Sequence, residues 1–224
     1  MHMMSIDVVC SLLLESLQLI CCTNIFKMNL VKIGLLSLFL LVGGINSKIT
    51  AQTYQLNEKE SHVKWHGKKI GGAHYGYIRF KSATLNATDG VITGGEFILD
   101  MNTIEDEDLD SKEWGVKLVD HLKSEDFFDV EKYPTAVYKL KRAKKRSGCI
   151  YSFTGELTIR DVTRPYSFLA NVRRLNGQYF ASGKMVIDRS DYNVKFGSGK
   201  FFENLGDKLI YDDIKLEFRI MLRP

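Results

Sequence analysis

From residue 63 onward the chain alternates apolar and polar residues in short runs. The last run is the clearest: Ile214, Leu216, Phe218, Ile220 and Leu222 alternate with Lys215, Glu217, Arg219 and Met221. A period of two sends one set to each face of a strand, so this run predicts a half-buried strand closing the chain. The pattern recurs in residues 74–81, with His74, Gly76, Ile78 and Phe80 in one set. It recurs again with Tyr151, Phe153, Gly155, Leu157 and Ile159, with Phe168, Ala170 and Val172, and with Ala181, Gly183, Met185 and Ile187. Val63 and Trp65 open one more run. Turn signals separate the runs: Thr88-Asp-Gly90, Gly94-Gly95, Arg146-Ser-Gly148 and Asn176-Gly177. Many short strands at this spacing predict a β-sandwich or a β-barrel.

One segment breaks the period. Leu109, Trp114, Leu118 and Leu122 recur at helical spacing, which predicts an amphipathic helix over 110–123 capped by Asp110 or Ser111. Ser124 opens a short turn that carries Phe127 and Phe128 among Asp120, Glu125, Asp126, Asp129 and Glu131. Pro134 stops it and holds Tyr133 extended. The economical arrangement points the aromatics inward and the acids outward, as a cap over one end of the β-structure. Gly76, Gly155, Gly183, Ala170 and Ala181 fall at inward positions, which points to a hollow; the competing reading is that glycine relieves bends in curved strands.

The N-terminus has a different character. Lys32, an apolar run over 33–42 and small residues up to Ala51 have the layout of a secretory signal peptide, so 28–51 is expected to be removed near Ala51. Residues 1–27 read as an upstream extension, with Met28 the true start; a two-part leader is the alternative. The remaining domain is 52–224, expected in the periplasm or otherwise exported. Removal of the leader takes Cys10, Cys21 and Cys22 and leaves Cys149 alone, so the domain must rely on its core. Over all 224 residues the net charge is +4, which gives little pull toward nucleic acid.

Candidate chemistry is sparse. An EF-hand register begun at Asp106 fails at Ser111, where glycine is needed, and at Lys117, where glutamate is needed. A solvated acidic loop before a helix N-terminus is the better reading of 105–110. His62, His66, His74 and His121 carry no HExxH or Cys/His pattern, and no metal site is expected. His74 stands out because it starts an inward-facing set. There is no GxSxG elbow, and Cys149 has no evident base. Gly197-Ser-Gly-Lys200 is too short for a phosphate loop but offers a weak anion nest. The basic stretch Lys139, Lys141, Arg142, Lys144, Lys145, Arg146 reads first as a solvated hairpin edge and second as a contact for a membrane surface or lipid phosphate.

Taken together, His121-Leu-Lys-Ser-Glu-Asp-Phe-Phe-Asp129 with Tyr133-Pro134, Gly155-Glu-Leu-Thr-Ile-Arg-Asp-Val-Thr-Arg-Pro165, Asp188-Arg189 with Asp191-Tyr192, Ser61-His62-Val63 with Trp65, and His74-x-Gly76 resemble the YceI-like lipid/polyisoprenoid-binding family. The resemblance spans nearly all of 52–224. It implies an all-β, lipocalin-like antiparallel β-barrel of about eight strands, with one amphipathic helix and a short helical turn capping one end. It also implies an isoprenoid lipid, either a polyprenyl phosphate or a quinone, held in an apolar channel. Apart from the resemblance, the basic stretch allows a transient membrane-surface contact, a homodimer is an option, and neither nucleic acid nor another cofactor is expected. The chain departs from the family pattern at Asp161 and Asn193, where glycine is usual; asparagine tolerates the same left-handed backbone.

The residues expected to line the channel are Trp65, Ile78, Phe80, Trp114, Leu118, Phe127, Phe128, Phe153, Leu157, Phe168, Met185, Ile187 and Phe218. His74 and Arg189 are expected as polar contacts near its mouth, with Arg189 alternatively paired to Asp188 or Asp191. No catalytic residue is expected. Two other readings stay open: a lipid hydrolase or isomerase using His74 or His121 with an acid, and a solidly packed interaction module.

Overall fold

A computed structural model describes residues 50–224; the expected extension over 1–27 and all but the last two residues of the expected signal peptide, 28–51, lie outside the described residues. In chain order the elements are β1 (Ala51–Leu56), β2 (His62–Lys69), β3 (Gly72–Thr88), β4 (Val91–Asp106), α1 (Lys112–Lys123), β5 (Thr135–Ser147), β6 (Ile150–Ile159), β7 (Val162–Leu175), β8 (Gln178–Asp188) and β9 (Asp213–Arg223). Among the described residues no helix is long and apolar enough to cross a membrane.

All neighbouring strands pair antiparallel, and the sheet closes on itself through β3 and β4. The nine strands fill eight places, because β1 and β2 share one. β1 pairs with the end of β3, from Tyr54↔Leu85 to Ala51↔Thr88, and with the end of β9 at Leu56↔Leu222. β2 pairs with the start of β3 and with 215–219 of β9. The break between them holds a 3₁₀ turn (Glu58–Glu60), and Ser61 bridges it: its hydroxyl donates to Asn57 O at 2.7 Å and accepts from Met221 N–H at 3.0 Å. A closed eight-stranded sheet leaves an interior just wide enough for side chains or one small ligand.

The hairpin turns at Asp89-Gly90 and Asn176-Gly177 both place two consecutive residues at positive φ, as two-residue hairpins require. Gly94-Gly95 is not a turn. It lies inside β4, where a Cβ on Gly95 would stand 2.5 Å from Thr84 O. β3 also changes phase: Gly76 and Ile78 are buried in its first half, Ala83, Leu85 and Ala87 in its second. Its register with β4 slips between Phe80 and Ser82, so the strand bulges there and the buried set changes parity. At inward positions 76 and 155 the glycines admit neighbouring backbone, since a Cβ would meet Glu105 O at 1.8 Å or Lys139 O at 2.2 Å. They permit tight curvature and do not create the hollow.

α1 begins at Ser111, whose hydroxyl accepts from Trp114 N–H at 3.5 Å, and it packs along β4. The turn after it is held by backbone bonds from Phe128 N–H to Leu122 O and from Val130 N–H to Lys123 O. Phe127 is buried, while Glu125, Asp126 and Glu131 are exposed.

Candidate ligand channel

Two voids, of about 110 and about 150 Å³, occupy the barrel. Leu99, Ala136, Ile187 and Leu216 border both, so the two lie end to end with a shared neck. The lower void is the one beside the capping turn.

The upper void is apolar throughout. Phe168 sits at its centre, with ring centroids 5.6 Å from Phe153, 5.3 Å from Tyr138 and 5.6 Å from Phe218. Phe80, Phe168, Met185 and Phe218 face inward yet are only half-buried, because the space in front of them is unfilled. The two tyrosines of the lining turn their hydroxyls away: Tyr138 donates to Tyr166 O at 3.3 Å and Tyr179 to Gly90 O at 3.2 Å. Burial pushes both phenols up, so they stay neutral.

The lower void is apolar in its depth and polar at its rim. Trp65, Ile78, Met101, Ile104, Phe127 and Phe128 form the deep wall, and Lys68, Lys69, His74, His121 and Tyr211 stand at the edge. Trp65 spends its indole N–H on Glu105 O at 3.1 Å, so only its apolar face is offered. Phe127 packs edge-on against Phe128 at 5.5 Å and His121 at 5.6 Å.

Arg189 differs from the expectation. It borders the lower void but is 1% exposed, and it pairs with Asp212 at 3.2 Å, not with Asp188 or Asp191. It also donates to Val194 O at 2.9 Å, Ile210 O at 3.1 Å and Tyr211 O at 3.3 Å, and its guanidinium lies 5.2 Å from the Phe127 ring. Burial pushes its pKa down while Asp212 pulls it up. With its donors committed, Arg189 staples the long β8–β9 connection to the barrel floor and has little left for a head group. Asp188 instead accepts from Ser190 and pairs with Lys200. Burial alone would raise the Asp188 pKa, but these hydrogen bonds outweigh it and hold the carboxyl below its usual value.

His74 sits at the rim with its Nδ1 3.2 Å from Asp108 Oδ2. Asp108 Oδ1 accepts from Tyr75 N–H at 2.7 Å, and Asp106 Oδ2 accepts from Leu109 N–H at 3.1 Å. So two acids of the 105–110 stretch turn toward the barrel instead of into solvent. Burial raises the pKa of Asp106; Asp108 is also penalised by burial, but the bonds from Tyr75 and His74 lower it overall. The three side chains bring one ligand atom each within 4.8 Å of one another. Their hydrogen bonds leave Asp106 Oδ1 as the oxygen without a partner.

The other expected lining residues divide between the voids. Phe80, Phe153, Leu157, Phe168, Met185 and Phe218 border the upper one, Trp65, His74, Ile78, Leu118, Phe127 and Phe128 the lower, and Ile187 both. Trp114 borders neither. It is 60% exposed, with Lys117 Nζ 4.5 Å from its ring. The first turn of α1 presents Gly115 to the barrel, where a Cβ would lie 3.3 Å from Asp106 Oδ2, and this rotates Trp114 outward.

Asp108, Asp212 and Arg160 are structural partners that periodicity does not mark. Arg160 takes a positive φ in the β6–β7 turn, so Asp161 beside it needs no left-handed backbone. Its guanidinium donates to Phe127 O and Asn193 O, both at 3.0 Å, and faces Asp129 at 3.8 Å, which clamps the capping turn to the β8–β9 connection. Asn193 is left-handed, as asparagine allows.

The YceI-like domain model matches residues 54–222. Over 87 residues the chain is 39% identical to UPF0312 protein plu2095 of Photorhabdus laumondii, covering 35% of this chain and 44% of that protein. The match therefore spans less than half the length of that curated relative. Among solved structures, BcnA of Burkholderia cenocepacia superposes with a TM-score of 0.59 at 21% identity, covering 74% of this chain and 98% of that one. A domain from Saccharophagus degradans, described as polyisoprenoid binding and implicated in plant cell wall breakdown, gives 0.56 at 13% identity, covering 76% and 97%. At these identities the two structures share the barrel fold with this chain. The model match, which runs from β1 to the end of β9 and takes in both voids and the capping turn, makes the chain a member of the YceI-like family.

Proposed function

We propose that this barrel is an exported carrier or sequestering protein for a long isoprenoid lipid. The observation that carries the reading is the pair of apolar voids joined at a neck and polar at one end only. An isoprenoid has the same polarity: a long apolar tail and one polar head. Each methylene buried contributes ~0.8 kcal/mol, so a tail can be held without any charge inside. The tail runs toward Phe168 and the head stays near Lys68, Lys69, His74 and His121. Those two lysines favour an anionic head such as a phosphate over a quinone. The description of the S. degradans domain as polyisoprenoid binding supports the same ligand class.

The volumes add a requirement. A dry cavity of ~150 Å³ accommodates a molecule the size of benzene. A polyprenyl tail therefore needs Phe168, Phe218 and Met185 to turn aside as it enters, which their half-buried state makes inexpensive. The test is native mass spectrometry of gently purified protein, followed by solvent extraction. A discrete added mass that extracts as a prenyl lipid is expected. A mass that stays bare after incubation with polyprenyl phosphates and quinones overturns the reading.

One observation favours a second reading. Asp108 orients the His74 ring at the rim, as a general base would be oriented. Incubation with prenyl phosphates and esters, with chromatography of the recovered lipid, separates the two. Altered lipid, lost in His74→Ala, supports an enzyme; unaltered lipid supports a carrier.

A further inference from the structure

The rim of the lower void, where Lys68, Lys69, Ile210 and Tyr211 stand, continues outward into a lip whose remaining residues do not line the channel. The β8–β9 connection leaves the barrel at Arg189 and returns at Asp213, and its middle lies against the β2–β3 turn. Ile70 N–H donates to Leu209 O at 3.0 Å, Tyr211 N–H to Lys68 O at 2.9 Å, and Ile210 N–H to Gly197 O at 2.8 Å. Phe201 and Phe202 follow one turn after Ser198, whose carbonyl accepts from both of their N–H groups. Ser198 is itself pinned, because its hydroxyl donates to Asp212 Oδ2 at 2.9 Å.

This held segment shows its apolar side chains to solvent. Ile70, Phe196, Phe201, Phe202 and Tyr211 are between 38% and 50% exposed. Phe196 joins them to the channel, since its ring lies 4.6 Å from His121. Lysines are interleaved: Lys68 and Lys69 on one side and Lys195, Lys200 and Lys208 on the other, against the acids Glu203 and Asp207 within 195–211. Lys195 Nζ stands 4.9 Å from the Phe201 ring, and Lys200 pairs with Asp188. Of the other exposed large apolar side chains, Trp114 and Val116 lie on α1, Leu169, Phe180 and Val186 on β7 and β8, and Val91 and Leu175 beside turns at the far end of the barrel. None of these is set among lysines of a held loop as the lip residues are.

We infer that residues 195–211, with the β2–β3 turn, form a docking surface for a lipid bilayer with anionic head groups. Exposed phenylalanines set among lysines match such a surface on both counts. The rings enter the boundary between head groups and acyl chains, and the lysines meet the negative surface potential. The lip borders the polar end of the channel, so docking brings the mouth to the membrane. The inference rests on the lipid-carrier reading and adds where that carrier meets its lipid. It also moves the contact away from the basic stretch 139–146. β5 starts beside the lower void at Thr135 and Ala136 and runs upward, so Lys144, Lys145 and Arg146 stand at the opposite end.

The test is hydrogen exchange on the full chain with phosphatidylcholine vesicles, with and without phosphatidylglycerol. The apolar N-terminal stretch is common to every variant, so only differences between variants are read. Amides of 196–211 and 68–72 gain protection with phosphatidylglycerol vesicles, and those of 141–149 do not. Phe201→Ser with Phe202→Ser lowers vesicle binding about tenfold or more, given the apolar area removed. Lys195→Glu with Lys208→Glu lowers it only where phosphatidylglycerol is present. None of these four residues borders a void, so each variant keeps its bound lipid by native mass spectrometry. Protection confined to 141–149, or no protection, overturns the inference. Protection of the lip that grows with protein concentration in the absence of vesicles makes it an interface between two copies, and overturns it too. Bound lipid without docking sinks this inference alone; docking with no lipid ever bound sinks the carrier reading instead.

Discussion

Two adjacent phenylalanines wall the lower void, and Phe127 does more: it is also wedged beneath the capping turn, under the Arg189 guanidinium and against His121. Phe127→Ala with Phe128→Ala is expected to speed ligand loss more than it lowers the melting temperature, read by lipid release after dilution and by thermal unfolding. Arg189→Met should be costly, because it leaves the half-buried Asp212 without its charge partner. Breaking such a pair costs roughly 3–5 kcal/mol, which denaturant titration resolves. Asp188 gives a pH signature. Its folded pKa lies below the unfolded value, so its contribution is present above about pH 4 and is lost as pH falls through the folded pKa. Asp188→Asn is then less stable than the parent by about 1.5–3 kcal/mol near neutrality, and the gap closes in acid.

At the scale of elements, the strands β6 to β9 are legible because each keeps one face on the interior for its whole length. β3 is not, because the bulge after Phe80 inserts a residue and nothing in the local composition announces it. The Gly94-Gly95 pair carries a turn composition but serves a close strand approach beside that same irregular ladder. The helix was legible as a helix, yet its spacing did not mark which residue of the first turn faces the barrel. Gly115 takes that place and Trp114 is displaced. The sequence reads Arg189 as a polar contact near a mouth and misses its role as a staple, because its partner Asp212 lies 23 positions on, across a connection with no periodicity. Gly155→Ala tests the curvature argument. Its Cβ would press on Lys139 O and the Tyr138 ring, so the variant should lose about 1–3 kcal/mol by chemical denaturation.

For the whole molecule, the neck between the voids is the sensitive point. Ala136 is buried and borders both voids, so a longer side chain there extends into the space they share. Ala136→Leu should fill the neck at a cost of no more than about 1–3 kcal/mol, while blocking passage of a tail into the upper void. Lipid retention measured beside the melting temperature separates the outcomes: bound lipid is lost and folding is kept.

The shared place of β1 and β2 gives the ring one divided stave. β2 alone holds β3 to β9 around the lower void, so β1 can detach without opening the circle. β1 carries Tyr54, which is buried against Tyr179 with a 4.7 Å ring separation and receives a hydrogen bond from Arg174 at 3.0 Å. A local opening confined to β1 would break the Tyr54–Tyr179 packing at the far end of the barrel while the ring stayed closed through β2. Amide exchange tests this: β1 amides are expected to open at lower free energy than those of β2 and β9.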